Sequence, residues 1–215
     1  MSAHEVRPGT PTQAWTELER GNARFVSGRH EHPNQDVERR HSLADGQKPF
    51  ALVFGCGDSR VAAEIIFDQG LGDLFVVRTA GHVVDSGVLG SIEFGVGVLD
   101  IPLVVVLGHD SCGAVAATMS AVEHGVLPGG YIRDIVERVT PSVLIAHRKG
   151  KTDPDAVEAE HVRQTIRLLV ERSTIIGERV ADGRLAVVGA TYALDEGRAQ
   201  LVEAVGDLDW DIEPE

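Results

Sequence analysis

The chain has 215 residues, 43% hydrophobic and 25% charged, which is enough apolar content for a sizeable core and rules out general disorder. Its formal net charge of −13 and pI near 5.1 repel phosphate backbones, so nucleic acid and anionic membrane surfaces are poor partners. No apolar run reaches the roughly 20 residues of a membrane span, and the opening MSAHEVRPGT lacks a signal-peptide pattern; the expectations are one domain over 1–215 and a cytoplasmic location.

Residues 1–11 hold two Pro and a Gly without periodicity and read as a flexible arm. From Thr12, the recurrence of Trp15, Leu18, Asn22, Phe25 and Val26 predicts a helix ending near Gly28. Residues 29–49 are polar and read as a long excursion. Its histidines (His30, His32, His41) and the earlier His4 have neither a Cys nor a compact spacing to make a metal site. Apolar runs at 50–54, 74–77, 103–107 and 185–189 then alternate with helical stretches at 62–67, 86–99, 112–124, 131–147 and 155–181. Strands that are apolar throughout and separated by helices predict an α/β fold. Its centre is a mainly parallel four-stranded sheet covered by helices on both faces, with an antiparallel edge strand at 198–205. Residues 206–215 form an acidic tail containing Trp210.

In such sheets ligands bind outside the carboxyl ends of the strands. Two strands end in polar segments, VFGCGDSR (53–60) and VLGHDSCG (106–113). If these strands are neighbours, Cys56, Asp58, Arg60, His109 and Cys112 converge at one rim. They include the only two cysteines of the chain, and the set suits zinc: two thiolates and an imidazole, with a fourth tetrahedral position left over. A helix beginning at Cys112 favours its thiolate. Asp58 has three roles open to it: fourth zinc ligand, hydrogen-bond acceptor for zinc-bound water, or simple partner of Arg60.

The pattern C-x-D-S-R followed by H-x-x-C-G resembles the β-class carbonic anhydrases. The similarity runs over residues 15–197 and includes RTAGHVV (78–84), SIEFGV (91–96) and PGGYIRD (128–134). The resemblance implies one Zn2+ per subunit on Cys56, His109 and Cys112. It implies reversible hydration of carbon dioxide by zinc-bound hydroxide, oriented by an Asp58–Arg60 dyad, with pH gating if Asp58 itself binds zinc. It also implies a substrate pocket from Gln47, Phe75, Ala80, Phe94 (where plant-type members have Tyr) and the backbone N–H of Gly113. Family members form homodimers or homotetramers, with an N-terminal helix lying over a partner subunit. An inhibitory bicarbonate site found in some bacterial members needs a Trp where this chain has Val53, although Arg78 and Tyr192 match. His82 invites a proton-shuttle reading against the plainer one of a core histidine. The alternatives are a carbon disulfide or carbonyl sulfide hydrolase on the same fold, a non-catalytic zinc protein, and a thiol redox protein, the last disfavoured by the lack of a C-x-x-C spacing.

Overall fold

A computed structural model describes residues 7–208 of the chain. In chain order the elements are α1 (Pro11–Val26), α2 (Val37–Ser42), β1 (Ala51–Cys56), α3 (Ala63–Ile66), β2 (Leu74–Thr79), a 3₁₀ turn (Ala80–His82), α4 (Ser86–Gly97), β3 (Leu103–His109), α5 (Gly113–His124), α6 (Ile132–Arg148), α7 (Pro154–Arg172), α8 (Thr174–Ala181), β4 (Ala186–Ala193) and β5 (Arg198–Val205). The strands form one sheet in the order β2-β1-β3-β4-β5. The first four are parallel and β5 pairs antiparallel with β4, as the sequence predicts.

Alternate residues of each central strand serve opposite faces. Val53, Val105 and Val188 pack with Ala14, Trp15 and Leu18 of α1 and with Ile66 and Phe67. Leu52, Phe54, Val104 and Val106 pack against Ile92 and Val96 of α4, Val162 and Ile166 of α7, and Ile176 of α8. β1 and β3 are buried along their whole length, which explains why their sequences are apolar without alternation. β4 carries Gly189 where α7 crosses; a Cβ there would fall 2.4 Å from Val162 and 2.6 Å from Ile166. A third apolar group, including Val115, Val139, Val143 and Val157, gathers α5, α6 and α7 beneath Cys56 and Cys112.

Several expected boundaries change. The helix expected over 155–181 is two helices: Ser173 is extended (ψ 112°), caps α8 by accepting from the Ile176 N–H, and donates to Glu93. The excursion at 29–49 contains α2, capped by Asp36. The flexible arm does not reach residue 11, because Thr10 caps α1 by accepting from the Gln13 N–H. Residues 1–6 of that arm, and 209–215 of the acidic tail with Trp210, lie outside the described residues. β2 is longer than expected and half-exposed, since it is an edge strand with one neighbour. Within its own chain the apolar stripe of α1 is buried. Asn22 ties it there, donating to the carbonyls of Ile66 and Gly197 and accepting from the Ala199 N–H.

Candidate metal centre

Because β1 and β3 are parallel neighbours, their carboxyl ends lie side by side at one rim of the sheet. Cys56 is the last residue of β1 and His109 the last of β3. The chain then turns through Ser111, at φ +53°, and returns Cys112 as the N-cap of α5. Cys112 makes no side-chain capping bond, so its sulfur is left for the other donors. The two sulfurs and a histidine nitrogen lie within 4.8 Å of one another, and all three residues are buried.

The His109 ring has a defined tautomer. Its Nδ1 is 2.7 Å from the Asp110 carbonyl, which can only accept, so Nδ1 carries the proton and Nε2 the lone pair. Nε2 is buried without a hydrogen-bond partner. A buried orphan acceptor is costly, and a metal ion relieves it. Soft sulfur with imidazole selects zinc, and three protein ligands leave one position open, as catalytic zinc sites do. Cys56, His109 and Cys112 are the residues that would hold it. The two thiols are unequal. A hydrogen bond from Cys112, helped by the Gly81 N–H, overrides burial and brings the Cys56 thiol down to about 4. Its role as donor to Cys56, together with burial, pushes Cys112 up. As zinc ligands both would serve as thiolates, without that asymmetry.

Asp58 stands beside this set and is gripped by Arg60. The guanidinium donates from Nε to Oδ1 (3.0 Å) and from Nη2 to Oδ2 (2.7 Å), and the Arg60 backbone N–H donates to Oδ1 (2.9 Å). This fork holds the Asp58 carboxyl well below the usual carboxylate range, so it is acceptor-only at working pH. Asp58 Oδ2 lies 4.0 Å from His109 Nε2, and so faces the donors while held by Arg60.

The other expected site residues divide into two groups. Ala80 is exposed and adjoins Gly81, whose N–H touches the Cys56 sulfur at 3.3 Å; Gly113 opens α5, where a helix leaves its first N–H groups unpaired. Both are chain neighbours of groups at the Cys56–Cys112 cluster. Gln47, Phe75 and Phe94 do not reach it within their own chain. Gln47 is exposed ahead of β1, at the end of the strand opposite Cys56. Phe75 pairs with Leu52 while Thr79 pairs with Cys56, which puts Phe75 about 13 Å back along the sheet. Phe94 on α4 is 46% exposed, its ring centroid 6.3 Å from that of Phe75.

Some contributors are not among the residues expected to do chemistry at this site. Arg78 donates from Nε to the Cys56 carbonyl (2.8 Å) and from Nη2 to the Asp58 carbonyl, which fixes the loop that carries the dyad. Glu158, fully buried, accepts the His109 backbone N–H at 3.2 Å, and burial pushes its carboxyl up to about 8. His161 accompanies it one turn along α7. The signal for both was available: they fall on the helix stripe of Val162, Thr165, Ile166 and Leu169, where apolar residues are expected. His82 is wholly buried, with its ring against His161 and burial holding it neutral, which fits a core histidine rather than a shuttle to solvent.

A mainly parallel α/β sheet carrying a Cys2His set and a carboxylate–arginine dyad at neighbouring strand ends defines a zinc enzyme with an open coordination position. Residues 51–199 match the family model described as carbonic anhydrase. The chain is 61% identical over 198 residues to carbonic anhydrase 2 of Mycobacterium tuberculosis, covering 92% of this chain and 96% of the relative. It is 59% identical, with the same coverage, to the carbonic anhydrase of Mycolicibacterium smegmatis. Among solved structures it resembles a tetrameric β-carbonic anhydrase from Sordaria macrospora (TM-score 0.69, 25% identity, 87% of this chain and 95% of that one). It also resembles a β-carbonic anhydrase of Aspergillus fumigatus (TM-score 0.68, 26% identity, 88% and 89%). The chain belongs to the carbonic anhydrase family, in its β class.

Proposed function

We propose that the Asp58–Arg60 dyad governs a reversible hydration in which carbon dioxide and water give bicarbonate and a proton. The observation that carries this is the fork-held, acceptor-only Asp58 carboxylate facing the zinc donors. Bound zinc supplies a water-derived nucleophile near neutral pH. Asp58 accepts the nucleophile's hydrogen and so turns a lone pair toward the substrate, while Arg60 keeps the carboxylate ionised and in place. The Gly113 N–H stands ready as a donor to a substrate oxygen, and Ala80 forms part of an apolar wall. Released from Arg60, the same carboxylate is close enough to compete for the open position, which is the basis of a pH gate. Activity that followed a single ionisation between pH 6 and 9, without steeper loss below neutrality, would count against the gate.

Gln47, Phe75 and Phe94 can join a substrate pocket only if a second subunit brings them. Phe75 on the half-exposed edge strand, with exposed Phe94, Val98 and Ile175, offers an apolar face for such pairing. The Sordaria macrospora relative is described as tetrameric, and a homodimer or homotetramer is the expected state here. The same reading treats 1–215 as one catalytic domain, since all five strands share one sheet. It places the protein in the cytoplasm, where a reducing environment keeps both ligand thiols free. Among the described residues no helix is long and apolar enough to cross a membrane. No regulatory anion site is proposed, because Val53 is buried in the core and Arg78 is engaged with two carbonyls.

The test is metal analysis with stopped-flow hydration on wild type and Cys56→Ser. One zinc per subunit and rapid hydration are expected for the wild type, with both lost in the variant. A Cys56→Ser protein that kept zinc and full activity would refute the scheme. Running carbon disulfide and carbonyl sulfide alongside separates the hydrolase alternative.

A further inference from the structure

Beneath the metal centre lies a buried polar block on which the proposed hydration does not draw. His161 sits on α7, 4% exposed, between two fixed partners: Nδ1 is 2.8 Å from Ser142 Oγ on α6, and Nε2 is 2.9 Å from the Gly81 carbonyl. A carbonyl only accepts, so Nε2 must carry a proton. Burial brings the ring down to about 4, so it is neutral at working pH and Nδ1 is a bare lone pair that accepts the Ser142 hydroxyl. Two contacts therefore fix one tautomer. His82 packs over this ring at a centroid distance of 4.3 Å, and Phe54 meets His82 edge-on.

The residue that His161 anchors is the one that touches the metal ligand. Gly81 donates its N–H to the Cys56 sulfur at 3.3 Å. It has φ +63°, and a Cβ there would lie 2.6 Å from that of Ala114, so its backbone is wedged against the first turn of α5. We propose that His161 is a positioning residue of the zinc site: by holding the Gly81 carbonyl it keeps the Gly81 N–H aimed at Cys56. Such an N–H···S bond stabilises the thiolate against protons and tempers its donation to the metal. An apolar side chain in place of His161 fills the space but leaves the Gly81 carbonyl buried without a donor, and the turn is free to re-aim. The proposal rests on the zinc assignment above and concerns only what holds one ligand.

The test compares His161→Leu, His161→Gln and Ser142→Ala with wild type, each as full-length zinc protein whose fold is checked by circular dichroism. The readouts are the rate of zinc loss to a chelator and, after exchange for cobalt(II), the sulfur-to-metal charge-transfer band. His161→Leu is expected to lose zinc about 10- to 100-fold faster and to shift the band. His161→Gln, whose amide N–H can reach the Gly81 carbonyl, is expected to return zinc loss to within about threefold of wild type. If His161→Leu does not fold, Ser142→Ala, which frees the ring tautomer, carries the comparison and should fall between Gln and wild type. Wild-type zinc loss in a folded His161→Leu protein would overturn the proposal, as would a Gln variant no better than Leu. A wild type that takes up no zinc sinks the metal assignment itself, which a change confined to the variants cannot do.

Discussion

Arg60 grips Asp58 through both guanidinium contacts and its own backbone N–H, a geometry in which charge and direction are set together. Asp58→Asn keeps the shape but turns an amide N–H₂ toward the arginine donors and removes the charge. Stopped-flow kcat/KM is expected to fall roughly 100-fold or more while zinc content stays at one per subunit. At this scale the chemistry was legible because it rides on side chains: Cys56, His109, Cys112, Asp58 and Arg60 announce themselves by type and spacing. The polar break in the α7 stripe marks Glu158 and His161, but not what they hold: the backbone groups of His109 and Gly81, like the Cys56 sulfur that Gly81 meets, reach them only in the folded chain. His161 and Gly81 meet across 80 residues of sequence, and no local pattern encodes that contact.

Among the elements, the join of α1 to the sheet offers a pH test. Asp68, its side chain 2% exposed, accepts from Arg24 Nε at 2.6 Å and from the backbone N–H groups of Glu31 and His32. Burial alone would raise this carboxyl, but the Arg24 bond and the two N–H groups leave it below its ordinary value. A depressed carboxyl stabilises the fold above its unfolded pKa, about 3.9, and loses that contribution as pH falls through the folded value. Asp68→Asn should therefore cost about 2 kcal/mol at pH 7, lowering Tm by about 4–8 °C, with the gap narrowing below about pH 4 in thermal melts. Gly189→Ala drives a methyl into Val162 and Ile166, and chemical denaturation should show a loss of about 1–3 kcal/mol. The sheet's strands, order-setting apolar runs and edge strand were readable from hydrophobic pattern. The break between α7 and α8 was not, since Ser173 looks like any polar helix residue until Glu93 and the Ile176 N–H engage its hydroxyl.

At the scale of the whole molecule, each subunit carries −13, and subunits that associate must overcome mutual repulsion with apolar contact. Light scattering should show a larger species at about 0.3 M salt than at about 0.01 M, where the screening length grows to roughly 30 Å. Phe94→Glu places a further charge on the exposed Phe75–Phe94 face and should shift the population toward monomer with zinc retained. The contribution proposed for a partner subunit leaves no trace in the sequence, because one chain's pattern describes one chain's contacts. Gln47 and Phe75 carry no mark of serving a neighbour.

The adjacency of β1 and β3 also has a consequence in time. Cys56 leaves the ribosome early, but its co-ligands follow only after β2 and α4 have been synthesised, and they meet it only once the two central strands have paired. Until those strands pair, the chain offers zinc only partial donor sets, Cys56 alone or His109 with the nearby Cys112. The full donor set exists only once the centre of the sheet has closed, and zinc held there would staple those strand ends together. Zinc uptake is thus expected to report on the register of β1 against β3, because a chain in which they pair wrongly does not assemble the three-donor set.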